Sequence, residues 1–519
     1  MSYSVALDGV DGRVVVVEAD VSDGVPGWSL SGLADLCVSE ARDRCRAAVI
    51  NSGQKWPDRK ITVAMYPADV PKVGSHYDLA IALALLIAKG EVPQGPLASA
   101  VVFGELGLNG RLRPVPGVLP AALAAVRAGL SRAIVPIGNV AEAQLVPGLE
   151  VVGVSSLVEC MAVLRGEEPP PDGPVLDDYG LTPGAAPAAA EETDLADVRG
   201  QARARWCVEV AAAGGHHLFL EGPPGAGKTM LAERLPRLLP DLDLVASIEV
   251  SKVHSVAGLL ARDDPLVVRP PFLAPNHTDT VPSVVGGGSR VIRPGAISLA
   301  HLGVLFLDEA PEFRPSVHDA LRQPLESGEI SIRRADGAAR FPARFQLILA
   351  ANPCPCGRSH HRRGCECPPS LKRRYQAKIS GPVRDRIDIV HTVLPVSRAE
   401  MRQPVGAEHC TAAVAARVRD ARLRQQARLT GLAATVNARV PMPELRRRCP
   451  LGPEPSGLVE DAVAEGRLTQ RGADRVVRLA WTVADLAGRR TPSVADMVEA
   501  LRLRSDGLLG AGGASRWSA

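Results

Sequence analysis

Residues 221–230 read EGPPGAGKTM and have the clearest chemical signature in the chain. They fit the pattern G-x-x-x-x-G-K-[ST], in which glycines let consecutive backbone N–H groups turn toward phosphate oxygens. A short apolar run precedes this segment and an apolar helical pattern follows it, so the loop would lie at the positive end of a helix. The pattern therefore predicts a nucleotide bound by Gly222, Pro223, Pro224, Gly225, Ala226, Gly227, Lys228, Thr229 and Met230.

Polar residues on this loop and after two later strands could act on the phosphates of ATP. We expect Lys228 to reach the β- and γ-phosphates and the Thr229 hydroxyl to hold Mg²⁺. The apolar strand VLFL ends in Asp308 and Glu309. Asp308 would hold Mg²⁺ through water, and Glu309 would orient and deprotonate the attacking water. A further apolar strand ends at Asn352, whose amide could contact the γ-phosphate or that water.

A pattern of alternating apolar and polar residues predicts a β-hairpin between these two strands. Residues 329–334 and 340–349 alternate on either side of Asp336 and Gly337, which form a tight-turn pair. The hairpin would be either a solvated face with scattered charge or a finger that contacts a nucleic-acid backbone in a central pore. Its basic residues are Arg333, Arg334, Arg340 and Arg344.

Four cysteines follow Asn352 as two C-x-C pairs, within fourteen positions and separated by eight residues. Four thiolates so close in sequence can surround one tetrahedral Zn²⁺. C-x-C is tighter than the more usual C-x-x-C spacing, so free structural thiols and reversible disulfides remain alternatives. The four candidates are Cys354, Cys356, Cys365 and Cys367.

The segment around the cysteines is basic and includes one aromatic residue, Tyr375. It is interpreted either as a nucleic-acid contact or as a solvated loop. His360 and His361 are expected to be solvated rather than metal ligands. Together with the hairpin, the predicted nucleic-acid contacts are Arg333, Arg334, Arg373 and Arg374.

The elements that position these residues divide the chain into several units. Strand and helix patterns mix before the phosphate loop, which indicates an α+β domain, and helical patterns dominate the end of the chain. Thr491, followed by proline, is predicted to cap the last helix. The predicted units are an α+β domain (1–166), a Pro- and Ala-rich linker (167–193), an α/β core (194–396), a helical lid (397–508) and a flexible tail (509–519).

Length and composition are those of a globular, multi-domain protein. The chain has 519 residues, of which 46% are apolar. Its net charge of +3 is close to balanced, so a basic surface that binds nucleic acid would be confined to one part of the molecule. Ten cysteines in so long a chain indicate a reducing compartment rather than a disulfide scaffold. The N-terminus lacks a signal-peptide pattern, and residues 79–88 are too few to span a bilayer. We therefore expect a soluble, cytoplasmic protein with no membrane partner.

Several longer segments carry a more specific signature than the phosphate loop alone. They resemble the YifB/ComM family of magnesium-chelatase-like AAA+ ATPases, of the helix-2-insert type. The chain departs from the usual family residues at Asn276, where histidine is usual, and at Ala296, where glutamate is usual. The matching segments are YPADVPKVGSHYDLAIALALL (66–86), GELGLNGRLRPVPGV (104–118), PFLAPNHTDTVPSVVGGG (271–288), PGAISLAHLGVLFLDEAPEF (294–313), LRQPLESGEISI (321–332), ANPCPCG (351–357) and RYQAKISGPVRDRID (374–388).

The resemblance implies roles for further side chains. Asn352 resembles the sensor-1 residue of AAA+ proteins. Arg386 resembles the arginine finger that reaches a neighbouring subunit's site, the alternative being a surface salt bridge with an adjacent aspartate, Asp385 or Asp388. Arg471 resembles the sensor-2 arginine of the lid, and Arg475, one helical turn later, is the competing candidate.

The N-terminal domain resembles the Lon-protease-type domain, in which a Ser–Lys dyad is catalytic. His76 stands at the position of that serine and Leu119 at the position of that lysine. Ser75 and Lys72 are nearby, but nothing in the pattern makes them a dyad. A domain for oligomer contacts or partner binding is therefore favoured over a protease.

The resemblance implies an AAA+ P-loop core with a helical lid, preceded by an α+β Lon-like domain, and a ring that is a hexamer. Its cofactors would be ATP and Mg²⁺, with Zn²⁺ at the cysteines if they bind metal. The implied function is ATP-driven branch migration or helicase activity on single-stranded or branched DNA, in recombination or natural transformation. The alternatives are a protein unfoldase or chelatase-like remodeller, and a non-enzymatic, nucleotide-gated scaffold.

Overall fold

The computed structural model describes residues 1–169, 193–288, 292–334, 337–358 and 364–505. The predicted tail and nearly all of the predicted linker lie outside the described residues. So do His360, His361 and the predicted turn residue Asp336, together with the side chain of Arg334.

The N-terminal unit is built on a mixed seven-stranded sheet, which confirms its expected α+β character. Its elements are β1 (Ser2–Asp8), β2 (Asp11–Ser22), β3 (Gly27–Ser31), α1 (Leu36–Ser39), α2 (Ala41–Asn51), β4 (Lys60–Tyr66), α3 (Asp78–Ala88), β5 (Ala100–Val102), β6 (Glu105–Leu106), β7 (Leu112–Arg113), α4 (Val118–Arg127), β8 (Arg132–Pro136), α5 (Val140–Ala143), β9 (Glu150–Val154) and α6 (Leu157–Arg165). The sheet order is β3-β4-β2-β1-β5-β8-β9, with β2 antiparallel to both its neighbours and the other pairs parallel. Helix α3 is buried over most of its length, so its continuous apolar sequence belongs to a core helix.

The central unit contains a five-stranded parallel sheet. Its elements are α7 (Ala202–Gly214), β10 (Leu218–Glu221), α8 (Lys228–Arg234), α9 (Leu244–Ala257), β11 (Phe272–Leu273), α10 (Val281–Val285), β12 (Gly286–Gly287), β13 (Arg293–Pro294), α11 (Ala296–Leu299), β14 (Val304–Leu307), α12 (Pro315–Ala320), α13 (Arg322–Ser327), β15 (Glu329–Arg334), β16 (Gly337–Pro342), β17 (Gln346–Ala351), α14 (Pro369–Gln376), α15 (Gly381–Arg384), β18 (Ile389–Thr392) and α16 (Arg398–Arg402). The sheet order is β11-β14-β17-β10-β18, and every pair is parallel. Because both faces are covered, β14 and β17 are buried throughout and, apart from Gln346, apolar without alternation. The carboxyl ends of β10, β14 and β17 therefore meet at one edge of the sheet.

The predicted hairpin exists, but its second strand is shorter than expected. Strands β15 and β16 pair antiparallel, with Arg333 opposite Ala338, and β16 ends at Pro342. One further bond in the same register, from the Ala343 N–H to the Gly328 carbonyl, follows Pro342, and the chain then enters the central sheet as β17. The prediction that Arg344 lies on the hairpin is therefore wrong; its N–H donates to His301 Nδ1 at 3.0 Å.

The C-terminal helices pack directly on the central unit. They are α17 (Thr411–Arg428), α18 (Met442–Arg448), α19 (Pro453–Ala464), α20 (Gln470–Leu486) and α21 (Val494–Ser505). Their buried residues share one hydrophobic core with α7, β10 and β17. The predicted cap of the last helix is wrong, because Ser493 rather than Thr491 accepts the N–H of Asp496.

The N-terminal unit docks on the central unit through helices α4 and α9. At the contact, Glu142 is buried, and its carboxylate accepts bonds from the Ser255 hydroxyl and from the backbone N–H of Leu119. Burial raises the pKa of the Glu142 carboxyl. The turn at Gly9 touches the hairpin so closely that a Cβ on Gly9 would meet the Arg340 carbonyl oxygen at 2.1 Å. The docking therefore reaches both α9 and the hairpin.

Candidate functional site

The glycine-rich loop joins β10 to α8, as the sequence predicted. Gly225 and Gly227 have φ of +74° and +91°, a conformation that favours glycine. Gly222 is required for a different reason, since a Cβ there would lie 2.3 Å from the Val393 carbonyl oxygen. The glycines thus allow a tight loop that is anchored against the end of β18.

The Lys228 ammonium lies among neutral oxygens. It donates to the Gly222 carbonyl at 2.8 Å, to the Pro223 carbonyl at 3.0 Å and to Asn352 Oδ1 at 3.1 Å. Burial lowers the pKa of Lys228, while the nearby carboxylates of Asp308 and Glu309 oppose that shift. The ammonium is held in place without a direct salt bridge, so its charge remains available to an anion.

Thr229 and Asp308 bring together two oxygen groups suited to a hard cation. The Thr229 hydroxyl donates to Asp308 Oδ2 at 2.8 Å, and Asp308 Oδ1 accepts the N–H of Glu309 at 2.9 Å. Hydroxyl and carboxylate oxygens are the ligands that Mg²⁺ prefers, and Mg²⁺ usually keeps several waters beside such a small protein set. The pair therefore fits the predicted Mg²⁺.

Glu309 follows Asp308 in the left-handed backbone region, with φ of +49°. Its carboxylate Oε2 lies 3.6 Å from Nδ1 of His277, which itself contacts the ring of Phe313. Sequence reasoning missed His277. The sequence did offer a hint, because His277 lies beside Asn276 in segment 271–288, which resembles the family.

These groups line one cavity of about 360 Å³ at the carboxyl edge of the central sheet. Six of the nine predicted loop residues line it. The other three are Gly222 and Pro223, whose carbonyls accept from Lys228, and Ala226, whose carbonyl accepts from Gln201. The lining residues are Pro224, Gly225, Gly227, Lys228, Thr229, Met230, Asp308, Glu309, Ala351 and Asn352.

Arg386 does not line this cavity. Its guanidinium donates to Glu326 on α13 and to the Pro382 carbonyl at 2.6 Å. The predicted alternative, a salt bridge of Arg386 with Asp385 or Asp388, is wrong, because the partner of Arg386 is Glu326.

Neither lid arginine lines the cavity. Arg471 is exposed in the first turn of α20. Arg475 instead donates to Asp388 and to the Arg386 carbonyl at 2.9 Å. Burial alone would raise the pKa of Asp388, but Arg475 and His216 beside it hold the pKa of that carboxyl well below its usual range. Arg475 therefore links the lid to the segment that carries Arg386.

The four cysteines converge immediately after Asn352. Their Sγ atoms all lie within 4.8 Å of one another. Gly357, inside the same loop, packs on the phosphate loop, since a Cβ there would lie 2.8 Å from Pro224 Cγ. The cluster is thus attached to the wall of the cavity but does not line it.

The predicted nucleic-acid contacts lie on two elements. Arg333 is exposed on β15, and Arg373 and Arg374 are exposed on α14. Tyr375 is buried, so the suggestion that it interleaves with the basic side chains at a binding surface is wrong. Gln376, at the end of the same helix, donates to Glu221 Oε1 at 3.2 Å, which ties α14 to the strand before the phosphate loop.

The structure gives the N-terminal candidates separate partners. The Lys72 ammonium donates to the Pro67 carbonyl, and the Ser75 hydroxyl donates to Glu105. His76 is partly buried with a ring nitrogen 2.9 Å from the Val5 carbonyl oxygen, and desolvation of the ring lowers its pKa to about 4. Leu119 is fully buried in α4.

Across the described part of the chain, no helix combines the length and apolar character needed to cross a membrane.

Comparison with known families matches the chain in three consecutive parts. The model described as "Subunit ChlI of Mg-chelatase" matches residues 17–139, and "Magnesium chelatase, subunit ChlI" matches residues 194–401. "Magnesium chelatase, subunit ChlI C-terminal" matches residues 408–504. The three matches fall in the N-terminal unit, the central unit and the C-terminal helices in turn.

Similar proteins match along nearly the whole chain. Rv2897c of Mycobacterium tuberculosis is 48% identical over 508 residues, which cover 98% of each chain. YifB of Escherichia coli is 39% identical, over 92% of this chain and 91% of its own. Competence protein ComM of Haemophilus influenzae is 38% identical, over 97% of each chain.

A partial likeness supports the expected Lon-like N-terminal unit. Lon protease of Mycolicibacterium smegmatis is 31% identical over 154 residues, which cover 28% of this chain and 19% of that protein. From three family matches in chain order and from relatives matched along nearly their whole length, we conclude that this chain belongs to the YifB/ComM family of magnesium-chelatase-like AAA+ proteins, for which ATP and Mg²⁺ are the implied cofactors.

Proposed function

We propose that the chain hydrolyses ATP with Mg²⁺ and acts as a ring-forming motor on single-stranded or branched DNA. Branch migration or helicase activity in recombination or natural transformation would be its task. The observation that carries the ATPase part is the single cavity where Lys228, Thr229, Asp308, Glu309 and Asn352 meet.

The cavity residues would divide the reaction between them. Lys228 would bind β- and γ-phosphate oxygens, because its ammonium is held by neutral acceptors only. Thr229 and Asp308 would hold Mg²⁺, which supplies positive charge to the phosphate oxygens when bound. The Glu309 carboxylate would take the proton of the attacking water as its oxygen bonds to the γ-phosphorus and the bond to the β,γ-bridging oxygen breaks. Asn352 would orient that water or the γ-phosphate.

A ring is proposed because the site lacks an arginine of its own at the γ-phosphate end. Among the described residues, Lys228 is the one basic side chain that lines the cavity. An arginine finger supplied by a neighbour typically accelerates phosphoryl transfer about 10³–10⁵-fold. Arg386 would be that finger, and a hexamer is the ring size that the family resemblance implies.

DNA is the proposed substrate on two grounds. Exposed Arg333, Arg373 and Arg374 could contact phosphates of a nucleic-acid backbone. The name of the ComM relative refers to competence, which fits a role in transformation. Zn²⁺ would enter this proposal only as a structural ion, because the four cysteines do not line the nucleotide cavity.

The test measures ATP turnover by the purified protein with and without single-stranded, forked and duplex DNA. We expect single-stranded or forked DNA to raise turnover. Combined Arg373→Glu and Arg374→Glu should bring the ratio of stimulated to basal turnover toward one. Arg42→Glu with Arg46→Glu, exposed on α2, is the matched charge control and should keep the ratio. Turnover that is indifferent to every DNA structure would refute the DNA motor.

A second candidate is an ATP-driven protein unfoldase or chelatase-like remodeller. The observation that favours it is the match to magnesium-chelatase subunit models over all three units. In that case candidate protein substrates, rather than DNA, should stimulate turnover. A nucleotide-gated scaffold would differ from both motors, because Glu309→Gln should leave its function intact.

A further inference from the structure

We infer that Cys354, Cys356, Cys365 and Cys367 form a mononuclear, structural zinc site of four thiolates. The Sγ atom of Cys354 lies 3.2 Å from that of Cys356 and 3.4 Å from that of Cys365, and the Cys356–Cys365 separation is 3.5 Å. All ten cysteines of the chain are described, and all are free thiols.

The spacing of the sulfur atoms fits one metal ion rather than a cluster. Four ligands at a Zn–S distance of about 2.3 Å in a tetrahedron lie about 3.8 Å from one another. The observed separations lie close to that value, and none of the six exceeds 4.8 Å. An iron–sulfur cluster places several irons and sulfides between its cysteines and so needs a wider arrangement.

The surroundings of the sulfur atoms also suit a closed site. The backbone N–H of Arg358 donates to Cys356 Sγ at 3.4 Å, which is the kind of outer contact that orients a metal ligand. With four protein ligands, no coordination position is left for substrate or water, so the site would be structural. Zn²⁺ would bind the thiolate forms and release the thiol protons to solvent.

The position of the cluster shows what the ion would hold together. Cys354 comes two residues after Asn352, whose Oδ1 accepts from Lys228. Gly357 lies against Pro224 of the phosphate loop, and α14 begins two residues after Cys367. The ion would therefore fix the end of β17, one wall of the nucleotide cavity and the start of the basic helix relative to one another.

The test is the metal content of the full-length protein, purified under reducing conditions without chelator. Atomic emission should find about one zinc per chain. Cys356→Ser with Cys367→Ser should lose it, whereas Cys37→Ser with Cys410→Ser, two partly exposed cysteines outside the cluster, should keep it. Far-ultraviolet circular dichroism identifies any variant that fails to fold.

A second readout uses the wild-type protein alone, so it does not depend on how the variants fold. After chelation and reloading with Co²⁺, we expect the intense visible bands of a tetrahedral site and a thiolate-to-cobalt charge-transfer band. Failure of the reduced protein to take up either metal, bound iron in place of zinc, or zinc kept by the cluster variant would overturn the inference. These measurements use neither ATP nor DNA. Failure of the zinc inference can therefore be distinguished from failure of the proposed motor function.

Discussion

The backbone of Glu309 separates two adjacent carboxylates into different surroundings. Its left-handed φ of +49° costs a non-glycine residue about 1–3 kcal/mol, and such conformations concentrate at functional sites. Asp308 faces the Thr229 hydroxyl, whereas Glu309 lies beside His277. This separation supports the proposal that Asp308 would hold the metal ion and Glu309 the attacking water.

Lys228→Ala should abolish ATP turnover. The substitution removes the cation that faces the cavity and leaves the Gly222 and Pro223 carbonyls without their donor. The N-terminal unit has its own hydrophobic core and should remain folded, as circular dichroism and limited proteolysis would show. Lys89→Ala, in the N-terminal unit, is the matched control. Normal turnover by the Lys228 variant would refute the assignment of the phosphate loop.

His277→Ala should lower kcat for ATP about tenfold and change KM little. We expect this because His277 contacts Glu309 rather than the phosphate loop, so its loss would misorient the base without weakening nucleotide binding. A loss of about 1.4 kcal/mol of transition-state stabilisation corresponds to that factor. His409→Ala, a partly exposed histidine just before α17, is the control. An unchanged kcat, or an effect confined to KM, would show that His277 does not position Glu309.

At the scale of elements, the link between Asp388 and Arg475 connects the segment before β18 to lid helix α20. Asp388→Asn would leave Arg475 partly buried without its counter-charge, and breaking such a pair typically costs about 3–5 kcal/mol of unfolding free energy. Thermal or urea unfolding at pH 7 measures the loss. Asp385→Asn, three residues earlier and exposed, should change little.

The same pair has a pH dependence with a definite sign. The pKa of Asp388 is depressed in the folded protein, so its stabilising contribution is present above the ordinary aspartate pKa of about 3.9 and declines as pH falls below it. The stability difference between wild type and Asp388→Asn should therefore be constant near neutrality and shrink below about pH 4. A difference that instead grew in acid would contradict the assignment.

Much of the site could be predicted because its residues follow short buried strands. The strand before Asp308 is apolar throughout, and the strand before Asn352 is apolar after Gln346. Parallel packing then brings their ends to the phosphate loop. Local patterns failed where tertiary contacts decide the outcome. The sequence pattern placed Tyr375 on a basic surface, but its side chain is buried. The pattern also placed Arg344 in the second hairpin strand, which ends at Pro342.

The cap of the last helix could have been predicted from the sequence, whereas an ion-pair partner could not. Ser is a somewhat better cap than Thr, and Ser493 has the capping-box spacing to Asp496, whose carboxylate accepts the Ser493 N–H. The partner of Arg386 is Glu326, sixty residues away in sequence, which no local spacing could indicate.

At the scale of the whole molecule, Arg386 lies in an ion pair with one exposed partner. The Glu326 side chain is 64% exposed, whereas the Arg386 side chain is 13% exposed. In the proposed ring, the guanidinium would exchange Glu326 for the nucleotide of a neighbouring subunit. The backbone of the same segment is fixed by Arg475, so the motion required is that of a side chain.

Sharing of the site between subunits can be measured directly by mixing two inactive chains. Lys228→Ala and Arg386→Ala chains, co-expressed with different tags and purified through both, would contain interfaces in which an intact Lys228 meets an intact Arg386. We predict that each variant alone loses about 10³-fold or more of its ATP turnover and that the mixed assembly recovers a measurable fraction. Mixed assemblies that form but stay inactive, or an Arg386→Ala protein with normal turnover, would contradict an ATP site completed by the neighbouring subunit.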